Sequence, residues 1–251
     1  MIHAAGITKW FGPLKALAGV NIDVNPGRIS ILIGPSGSGK TTLIRALSLL
    51  DPPTSGCIQI DNLRYEFPLA GRKITEPWPK LTVVFQQQFL WPHLTIRENI
   101  ALPLSKREPT NSAEIIAKLA EFFGMVPFMD RYPNQVSLGE RQRAALARAL
   151  ALNPDYILLD EITSALDVEQ TANVTQYLLK LRDRGIGILV ITHFLAFAKR
   201  LLDRGEGDVV YFMEAGQIIE QGGAEFFGNN RNRRVRAFLS ALEFQGGLVV
   251  G

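Results

Sequence analysis

The sequence predicts an α/β fold in which a mainly parallel sheet is interrupted by a helical segment. Two stretches, "YILLDE" and "GILVITH", are near-continuous apolar runs that end in polar residues, which is typical of parallel strands buried on both faces. A third stretch, "RISILIG", runs into a glycine-rich turn, and "TTLIRALSLL" continues it as a helix. Residues 95–153 carry apolar residues at helical spacing, so we expect helices inserted between the strands.

Short strands dominate the first third of the chain. The segments "IHAAGIT", "VNIDVNP" and "RISILIG" are separated by glycine and proline residues, which favour turns. After Gly207, "DVVYFMEAGQIIEQG" predicts a hairpin that turns at Ala215 and Gly216. Strands are therefore expected on both sides of the helical segment along the chain, and a short basic tail follows them.

Two strong helices are predicted within the helical segment. The first, "SAEIIAKLAEFFGM", begins at a serine and ends near Gly124 and Pro127. The second, "VSLGERQRAALARAL", has Ser137 and Glu140 at the spacing of a capping box, followed by strong helix formers. The start of this second helix has unpaired N–H groups and the positive end of the helix dipole, so it is a candidate anion site.

The composition indicates a globular protein of one or two domains. The chain has 251 residues, of which 47% are hydrophobic and 20% are charged. A net charge of +3 is too small to indicate nucleic-acid binding. The single cysteine, Cys57, excludes an internal disulfide and fits a reducing compartment, and we expect it to be a small buried residue near a strand.

The sequence also limits how the chain can meet a membrane. It contains no apolar run of about 18 residues, the length that a spanning helix needs. Its first residues lack the basic and then apolar pattern of a secretory signal. We therefore expect a soluble, cytoplasmic protein whose role at a membrane would come through a partner.

A phosphate-binding loop is predicted at residues 34–41. Their sequence, "GPSGSGKT", matches G-x-x-x-x-G-K-[ST] and lies between a predicted strand and a predicted helix. Glycines let the backbone wrap a phosphate so that several N–H groups point inward. Lys40 would bind the β- and γ-phosphates and Thr41 would ligate Mg²⁺, so the motif indicates a nucleoside triphosphate.

Two adjacent carboxylates, Asp160 and Glu161, end the strand "YILLDE". Asp160 would hold Mg²⁺, directly or through water, as the second-strand aspartate does in P-loop NTPases. Glu161 would polarise the attacking water as a general base. The alternative is that the pair only caps a following helix, since aspartate is common there.

Further polar side chains follow two other apolar runs. His193 ends "GILVITH" on a strand that we expect to neighbour "YILLDE", where it can hydrogen-bond a γ-phosphate. Gln86 ends "VVFQ" and could touch both Mg²⁺ and the attacking water, with Gln87 and Gln88 as competing candidates. Taken alone, the histidine would be read as a core residue and the glutamines as a solvated loop.

Taken together, these motifs resemble one family, the ATP-binding subunits of ABC transporters. They occur in family order as the P-loop "GPSGSGKT", the Q-loop "VFQ", the signature "VSLGERQRAALARAL", the acidic strand with D-loop "YILLDEITSALD", and the switch histidine of "VITH". The resemblance covers almost the whole chain. It implies a P-loop NTPase core with a mainly parallel sheet, an N-terminal antiparallel β region and an inserted helical subdomain, the ABC ATPase architecture.

The resemblance also implies the division of the chain. Residues 1–88 and 154–225 would form the nucleotide-binding α/β core, residues 89–153 the helical subdomain with the signature, and residues 226–251 a C-terminal tail. All three would belong to a single ABC ATPase domain, residues 1–251.

Two such subunits are implied to pack head to tail as a homodimer or with a homologous cassette. The helix that starts at Ser137 would then face the γ-phosphate of ATP held by the partner's P-loop, with Ser137 and the N–H of Gly139 as contacts. Phe11, in "TKWFG", matches the aromatic residue that stacks on adenine, with Trp10 as the alternative, and Asp167 matches the D-loop residue that crosses the interface.

The full set of implied site residues follows from these matches. ATP and Mg²⁺ are the implied ligands. The residues implied to act in catalysis are Lys40, Gln86, Glu161 and His193. Those implied to hold the metal are Thr41, Gln86 and Asp160. Those implied to hold the nucleotide are Phe11, Gly34, Pro35, Ser36, Gly37, Ser38, Gly39, Lys40, Thr41, Thr42, Ser137, Gly139 and Asp167.

The implied function is an ATPase whose dimer closes on two ATP molecules and drives transmembrane permease subunits. The loop after Gln86 and the helical segment would dock a coupling helix of the permease, which would hold the chain at the inner face of the cell membrane. The segments "LWPHLTIRENIALPL" and "YFMEAGQIIEQG" resemble importers of polar amino acids, whose complete systems include a substrate-binding protein.

Three residues depart from the family pattern. The usual signature Leu-Ser-Gly-Gly-Gln reads Val-Ser-Leu-Gly-Glu here, so that Leu138 and Glu140 replace a glycine and a glutamine, and Ile162 replaces a proline. Leu138 could strain the closed dimer if that position needs angles that only glycine adopts readily. Alternatively, it has ordinary helical angles and packs against the permease or the helical segment.

Two other functions compete with the transport hypothesis. The arginines of "NNRNRRVRAF" would suit an ABC-type ATPase that acts on nucleic acid or ribosomes, although such a run is more often a solvated helix face. Such proteins also usually carry long coiled coils or a second cassette, and neither is present. A low-turnover regulatory cassette is the third hypothesis, motivated by the altered signature.

Overall fold

The computed structural model describes residues 1–69, 71, 74–106, 110–163, 166–202, 205–228 and 230–247. Parts of two predicted segments lie outside these residues. They are Ser164 and Ala165 of the predicted D-loop, and Asn229 and residues 248–251 of the predicted tail.

Strands lie on both sides of a helical segment along the chain, as the sequence predicts. In chain order the strands are β1 (Ile2–Phe11), β2 (Leu14–Val24), β3 (Ile29–Ile33), β4 (Ser55–Ile60), β5 (Leu63–Phe67), β6 (Leu81–Val84), β7 (Tyr156–Asp160), β8 (Gly187–Ile191), β9 (Val209–Glu214) and β10 (Gln217–Gly222). The helices are α1 (Lys40–Leu47), α2 (Ile96–Ser105), α3 (Ser112–Phe122), α4 (Leu138–Leu150), α5 (Val168–Asp183), α6 (Leu195–Leu202) and α7 (Arg233–Gly247).

The strands form two sheets. One has four strands in the order β2-β1-β4-β5, and the pairings within it are antiparallel. The other has six strands in the order β10-β9-β3-β8-β7-β6, in which the neighbours from β9 to β6 are parallel and β10 pairs antiparallel with β9. The predicted α/β class with a mainly parallel sheet and an N-terminal antiparallel region is therefore confirmed.

The central strands β3, β7 and β8 of the six-stranded sheet are buried on both faces. On β3, Ile31 and Ile33 pack into a core with the helical segment and with α5 to α7, whereas Leu32 faces a second core with α1 and the antiparallel sheet. This explains why the central strands are almost continuously apolar, because either face of each strand meets a hydrophobic layer. The predicted hairpin at Ala215 and Gly216 joins β9 to β10.

The structure differs from one prediction about the core. Cys57 lies in β4 as expected near a strand, but it is only half-buried, because it points to the face opposite the buried side chains of Ile58 and Ile60. Of the helices in the described part of the chain, none is both long and apolar enough to cross a membrane.

Candidate functional site

The carboxyl ends of β3, β8, β7 and β6 lie side by side at one edge of the parallel sheet. The register pairs Leu32 of β3 with Ile191 of β8, and Ile191 in turn with Asp160 of β7. The glycine-rich loop follows β3, His193 follows β8, Glu161 follows β7, and the glutamines follow β6. Parallel strands place their carboxyl ends at one edge, which is where ligands gather in open α/β sheets.

Close backbone packing requires two glycines of the loop between β3 and α1. Gly34 has φ 152° and Gly39 has φ 103°, both in the region that favours glycine. A Cβ atom on Gly34 would lie 2.0 Å from the carbonyl oxygen of Met213, and one on Gly39 would lie 2.6 Å from that of Ala16. The loop is therefore held against β9 and β2, in a shape that other residues could not adopt without displacing the backbone.

The ammonium of Lys40 lies within this loop. Its side chain is only 6% exposed, and Nζ donates hydrogen bonds to the carbonyl oxygens of Gly34 at 2.8 Å and Pro35 at 2.9 Å. Burial lowers the pKa of Lys40, and the carboxylates of Glu161 and Asp160 oppose that shift. The helix α1 begins at Lys40 without a side-chain cap, so its first N–H groups are available to an anion.

The remaining loop residues surround this ammonium. Ser38 is buried, and its carbonyl oxygen accepts a 3.0 Å hydrogen bond from the backbone N–H of Gly216. Ser36 and Gly37 are exposed at the top of the loop, and Thr41 and Thr42 are exposed and half-buried in the first turn of α1. The loop therefore combines exposed residues at its top with a buried cation, which suits an anionic ligand.

Asp160 is a buried carboxylate with one oxygen left unpaired. The residue is 4% exposed, and its Oδ1 has no hydrogen-bond partner among the described residues. Burial raises the pKa of Asp160, and a hydrogen bond from the Thr41 hydroxyl opposes the shift. An unpaired buried acceptor is costly unless a ligand satisfies it. A carboxylate oxygen beside a hydroxyl oxygen is a set of donors that Mg²⁺ prefers, so these residues fit the predicted metal.

Glu161 lies next to Asp160 in an unusual backbone conformation. Its φ is 52°, a left-handed conformation that costs a non-glycine residue about 1–3 kcal/mol and often marks functional sites. Its backbone N–H donates to the carbonyl oxygen of Ile191 at 3.0 Å. Its Oε2 lies 2.9 Å from Nε2 of His193, and the two side chains are 18% and 44% exposed. The structure thus brings the predicted base and the predicted γ-phosphate contact together.

A cavity of about 260 Å³ lies against this carboxylate–imidazole pair. Besides Glu161 and His193, the residues that line it are Thr163, Leu166, Thr192 and Phe194. None of these four was singled out by the sequence analysis. They flank the motifs directly, but their residue types are common in any loop, so only proximity to the motifs could have indicated them.

The structure separates the three candidate glutamines after β6. Gln88 donates from Nε2 to Oε1 of Gln142 in α4 at 3.1 Å, so its side chain is already engaged by the helical segment. Gln86 and Gln87 are exposed. Gln86 lies two residues beyond Val84, which pairs with Leu159 of β7, and by this register it reaches the level of Glu161. Gln86 therefore stays the residue that we predict to contact Mg²⁺ and the attacking water.

The predicted capping box at the start of α4 is present. The Oγ of Ser137 accepts from the N–H of Glu140 at 3.2 Å, and the carboxylate of Glu140 accepts from the N–H of Ser137 at 2.7 Å. The structure also shows a contact that the sequence does not predict, since the side-chain amide of Gln170 packs directly against Gly139, where a Cβ would lie 2.1 Å from its Oε1. Asp167 caps α5 by accepting from the N–H of Gln170 at 2.7 Å. The starts of α4 and α5 therefore pack together.

Leu138 and Ile162 are the two other residues that depart from the family pattern. Leu138 is the first residue of α4, its φ is not positive, and its side chain is 40% exposed. It therefore has ordinary helical angles in this chain and does not bury itself in the helical segment. Ile162 is 2% exposed and packs in the core beside the sheet.

Leu138→Gly is expected to weaken the first turn of α4 rather than to relieve strain. Glycine in a helix is less stable than a good helix former by roughly 0.5–1 kcal/mol. In a Glu161→Gln background we expect ATP-driven dimerisation, measured by sedimentation, to stay the same or to weaken. Leu138→Ala is the control, because it shortens the side chain without adding backbone freedom. Stronger dimerisation of the glycine variant alone would mean that the dimer needs angles that leucine disfavours.

Two exposed aromatic residues end the first hairpin. Trp10 and Phe11 are 45% and 46% exposed, and the ammonium groups of Lys15 and Lys9 lie 5.5 Å and 5.3 Å from the centres of their respective rings. The next residue along β2, Ala16, contacts Gly39 of the loop. The hairpin that carries both aromatic residues therefore reaches the glycine-rich loop, and their exposures do not separate Phe11 from Trp10 as the predicted adenine contact.

Comparisons with known proteins agree with this geometry. The family model described as "ABC transporter" matches residues 17–164. The chain is 37% identical over 246 residues to the glutamate transport ATP-binding protein GluA of Corynebacterium efficiens, covering 96% of this chain and 99% of that protein. It is 38% identical over 247 residues to the arginine transport ATP-binding protein ArtM of Bacillus subtilis, covering 96% of this chain and 100% of that protein.

Solved structures give the same likeness. A dimeric ATP-binding cassette in a post-hydrolysis state, bound to ADP and Pi, is 31% identical with a TM-score of 0.77, covering 89% of this chain and 99% of that one. A nucleotide-free ATP-binding cassette from an ABC transporter is 26% identical with a TM-score of 0.80, covering 95% of this chain and 98% of that one.

Proposed function

Since the chain belongs to the ABC transporter family and is an ATPase, we propose that it supplies the energy for importing polar amino acids through a membrane permease. The observation that carries the proposal is full-length similarity, at 37% and 38% identity, to ATP-binding proteins named for glutamate and arginine transport. A third relative, the general L-amino acid transport ATP-binding protein AapP of Rhizobium johnstonii, is 37% identical over 247 residues.

The glycine-rich loop holds the phosphates of ATP. Its open N–H groups and the buried ammonium of Lys40 supply positive charge without the cost of reorganising water. Thr41, Asp160 and Gln86 would hold Mg²⁺, and the unpaired Oδ1 of Asp160 supports this assignment. When bound, Mg²⁺ neutralises charge that develops on the phosphates during transfer. Phe11, or Trp10 beside it, stacks on the adenine.

Glu161 is the general base for the attacking water. A base must lie within hydrogen-bond reach of the proton that it accepts. The cavity against its carboxylate has room for water, at about 260 Å³. The 2.9 Å contact with His193 holds the carboxylate in one orientation, and the imidazole is exposed enough to reach a γ-phosphate as well. The pair would thus link the presence of the phosphate to the position of the base.

The active form is a head-to-tail homodimer or a pair with a homologous cassette. Ser137 and Gly139 open a helix whose N-terminal groups suit an anion, and the partner's ATP would supply that anion. Asp167 lies beside them and caps α5. The relative bound to ADP and Pi is itself described as dimeric, which supports this assembly.

A groove between the sheet and the helical segment is the docking site for the permease. Its volume is about 770 Å³, and it lies among β6, the end of α1, α2 and α4. Its wall is mostly apolar, and it includes the exposed side chains of Trp78, Trp91 and Leu102. An apolar groove of this size suits one face of an amphipathic helix. Docking there would hold the chain at the inner face of the cell membrane, in a system completed by a substrate-binding protein.

Import is tested with the complex of this chain and the membrane subunit that co-purifies with it, reconstituted in vesicles. We expect ATP-dependent uptake of labelled glutamate, glutamine, arginine or histidine, and no uptake with the Glu161→Gln chain. If the vesicles take up only solutes of another class, the amino-acid assignment is wrong, whereas the ATPase activity is unaffected by that result.

Docking in the groove is tested by introducing one charge. Leu102→Asp places a carboxylate on the apolar wall, so we expect it to reduce recovery of the membrane subunit in a pull-down by at least roughly tenfold, the effect of about 1.4 kcal/mol. Val126→Asp is the matched control, because Val126 is 61% exposed in the same helical segment but does not line the groove. Equal recovery of the membrane subunit with both variants would show that the permease docks outside this groove.

A further inference from the structure

The helix α4 is tied to the loop that follows β6 by three hydrogen bonds. Arg148 donates from Nη1 to the carbonyl oxygen of Phe89 at 2.7 Å and from Nη2 to that of Gln88 at 2.8 Å. The side chain of Gln88 donates to Gln142 at 3.1 Å. Two successive carbonyl groups and one side chain of the loop are therefore bound to a single helix.

Arginine makes the first two of these bonds from two separate nitrogens, whereas a lysine would have to make both from one ammonium. The planar guanidinium presents donors in a rigid fork, whereas a lysine ammonium is a single point of charge. Burial lowers the pKa of Arg148, and among the described residues no carboxylate forms an ion pair with it. The charge is therefore directed at the carbonyl oxygens of the loop, and such charge-assisted hydrogen bonds are stronger than neutral ones.

The position of Arg148 connects three parts of the proposed machinery. Gln88 is two residues beyond Gln86, the predicted contact to Mg²⁺ and water. Arg148 lies ten residues after Leu138, which is about 15 Å along the helix from the end that faces an anion. Arg148 also lines the groove proposed for the permease, together with Trp91.

We propose that Arg148 is a positioning residue that fixes residues 86–89 to α4, so that this loop and the anion-facing end of α4 move as one unit. A partner that presses on the groove would then shift both parts at once. The proposal rests on the roles proposed above for Gln86 and for the start of α4. Binding of the phosphates stays with residues 34–42, to which Arg148 donates no hydrogen bond.

The test is Arg148→Lys, which keeps the charge and most of the stem but removes the fork. Arg143→Lys is the matched control, since Arg143 lies on the same helix but bonds the carbonyl oxygen of Phe123 at 3.3 Å and stacks over Phe128, both within the helical segment. Gln142→Leu is a second variant that removes only the side-chain tie to Gln88, with a residue of similar size.

For Arg148→Lys we expect ATP affinity by calorimetry to stay within about twofold, whereas kcat falls by roughly tenfold, the effect expected when a charge-assisted hydrogen bond is lost. Hydrogen exchange of the backbone amides in residues 86–91 should become faster. Gln142→Leu should change kcat and exchange in the same direction by less, and Arg143→Lys should change neither.

Three results would overturn the proposal. The first is wild-type kcat in Arg148→Lys. The second is an equal loss of kcat in Arg148→Lys and Arg143→Lys with a parallel fall in melting temperature, which would indicate general destabilisation. The third, which applies if Arg148→Lys fails to fold, is unchanged loop exchange in Gln142→Leu. Normal turnover in a Gln86→Ala chain would show separately that the role proposed for Gln86 is wrong.

Discussion

Replacing Glu161 with glutamine is expected to lower steady-state ATP turnover by roughly 10²–10⁴-fold, the usual contribution of a general base. Glutamine keeps the shape and polarity of the side chain but cannot accept the proton of the attacking water. Because the backbone of Glu161 is held by the hydrogen bond to Ile191, the variant should keep the local fold. ATP hydrolysis is measured by phosphate release with the purified chain and Mg²⁺.

The same variant should accumulate as an ATP-bound dimer, because hydrolysis no longer opens it. Sedimentation with and without ATP measures this accumulation. Glu169→Gln is the matched control, since Glu169 is an exposed carboxylate in the first turn of α5, near Glu161 in the chain. Wild-type turnover in Glu161→Gln would assign the base to another residue, and equal losses in both variants would indicate a general effect of charge.

Lys40→Ala is expected to lower the affinity for ATP at least tenfold, which corresponds to about 1.4 kcal/mol. The substitution removes a cation that is 6% exposed and lies within the glycine-rich loop, where low exposure to water strengthens its attraction to phosphate. Calorimetric titration with ATP and Mg²⁺ measures the change directly.

The control for this experiment is Lys118→Ala. Lys118 pairs with Glu114 on the exposed face of α3, outside the site, so ATP affinity should not change. If Lys40→Ala binds ATP as tightly as the wild type, residues 34–41 do not form the phosphate site. Melting temperatures of both variants, measured without ligand, show whether a loss of ATP affinity comes from destabilisation of the fold.

The parts of the fold and site that the sequence could predict are local along the chain. The capping box needs only Ser137 and Glu140, three residues apart, and both of its hydrogen bonds are present. The glycine-rich loop is one continuous stretch, and its glycines have the positive φ angles that such a loop needs. Strand ends could be placed because apolar runs stop where the chain leaves the core. The roles of Lys40, Asp160, Glu161 and His193 in hydrolysis stay predictions until the variants are measured.

Contacts between distant segments could not be predicted in this way. The resemblance points to Gln86, but the sequence does not show that Gln88 hydrogen-bonds Gln142, which is more than fifty residues away. The contact of Gly139 with Gln170 likewise joins two helices that are distant in the chain. Arg148 looks like any arginine of an amphipathic helix until its two carbonyl partners are known.

By itself, therefore, the sequence determined the α/β class, the order of strands and helices along the chain, and the short stretches that carry the chemistry. These depend on residue type and on spacing within a few residues, where backbone geometry leaves few alternatives. The tertiary structure alone decided the 2.9 Å contact of His193 with Glu161, the hydrogen bond between Gln88 and Gln142, and the two hydrogen bonds from Arg148 to the loop after β6. Each of these contacts joins elements that are distant in the chain. It therefore depends on how those elements pack against one another, which local spacing does not determine.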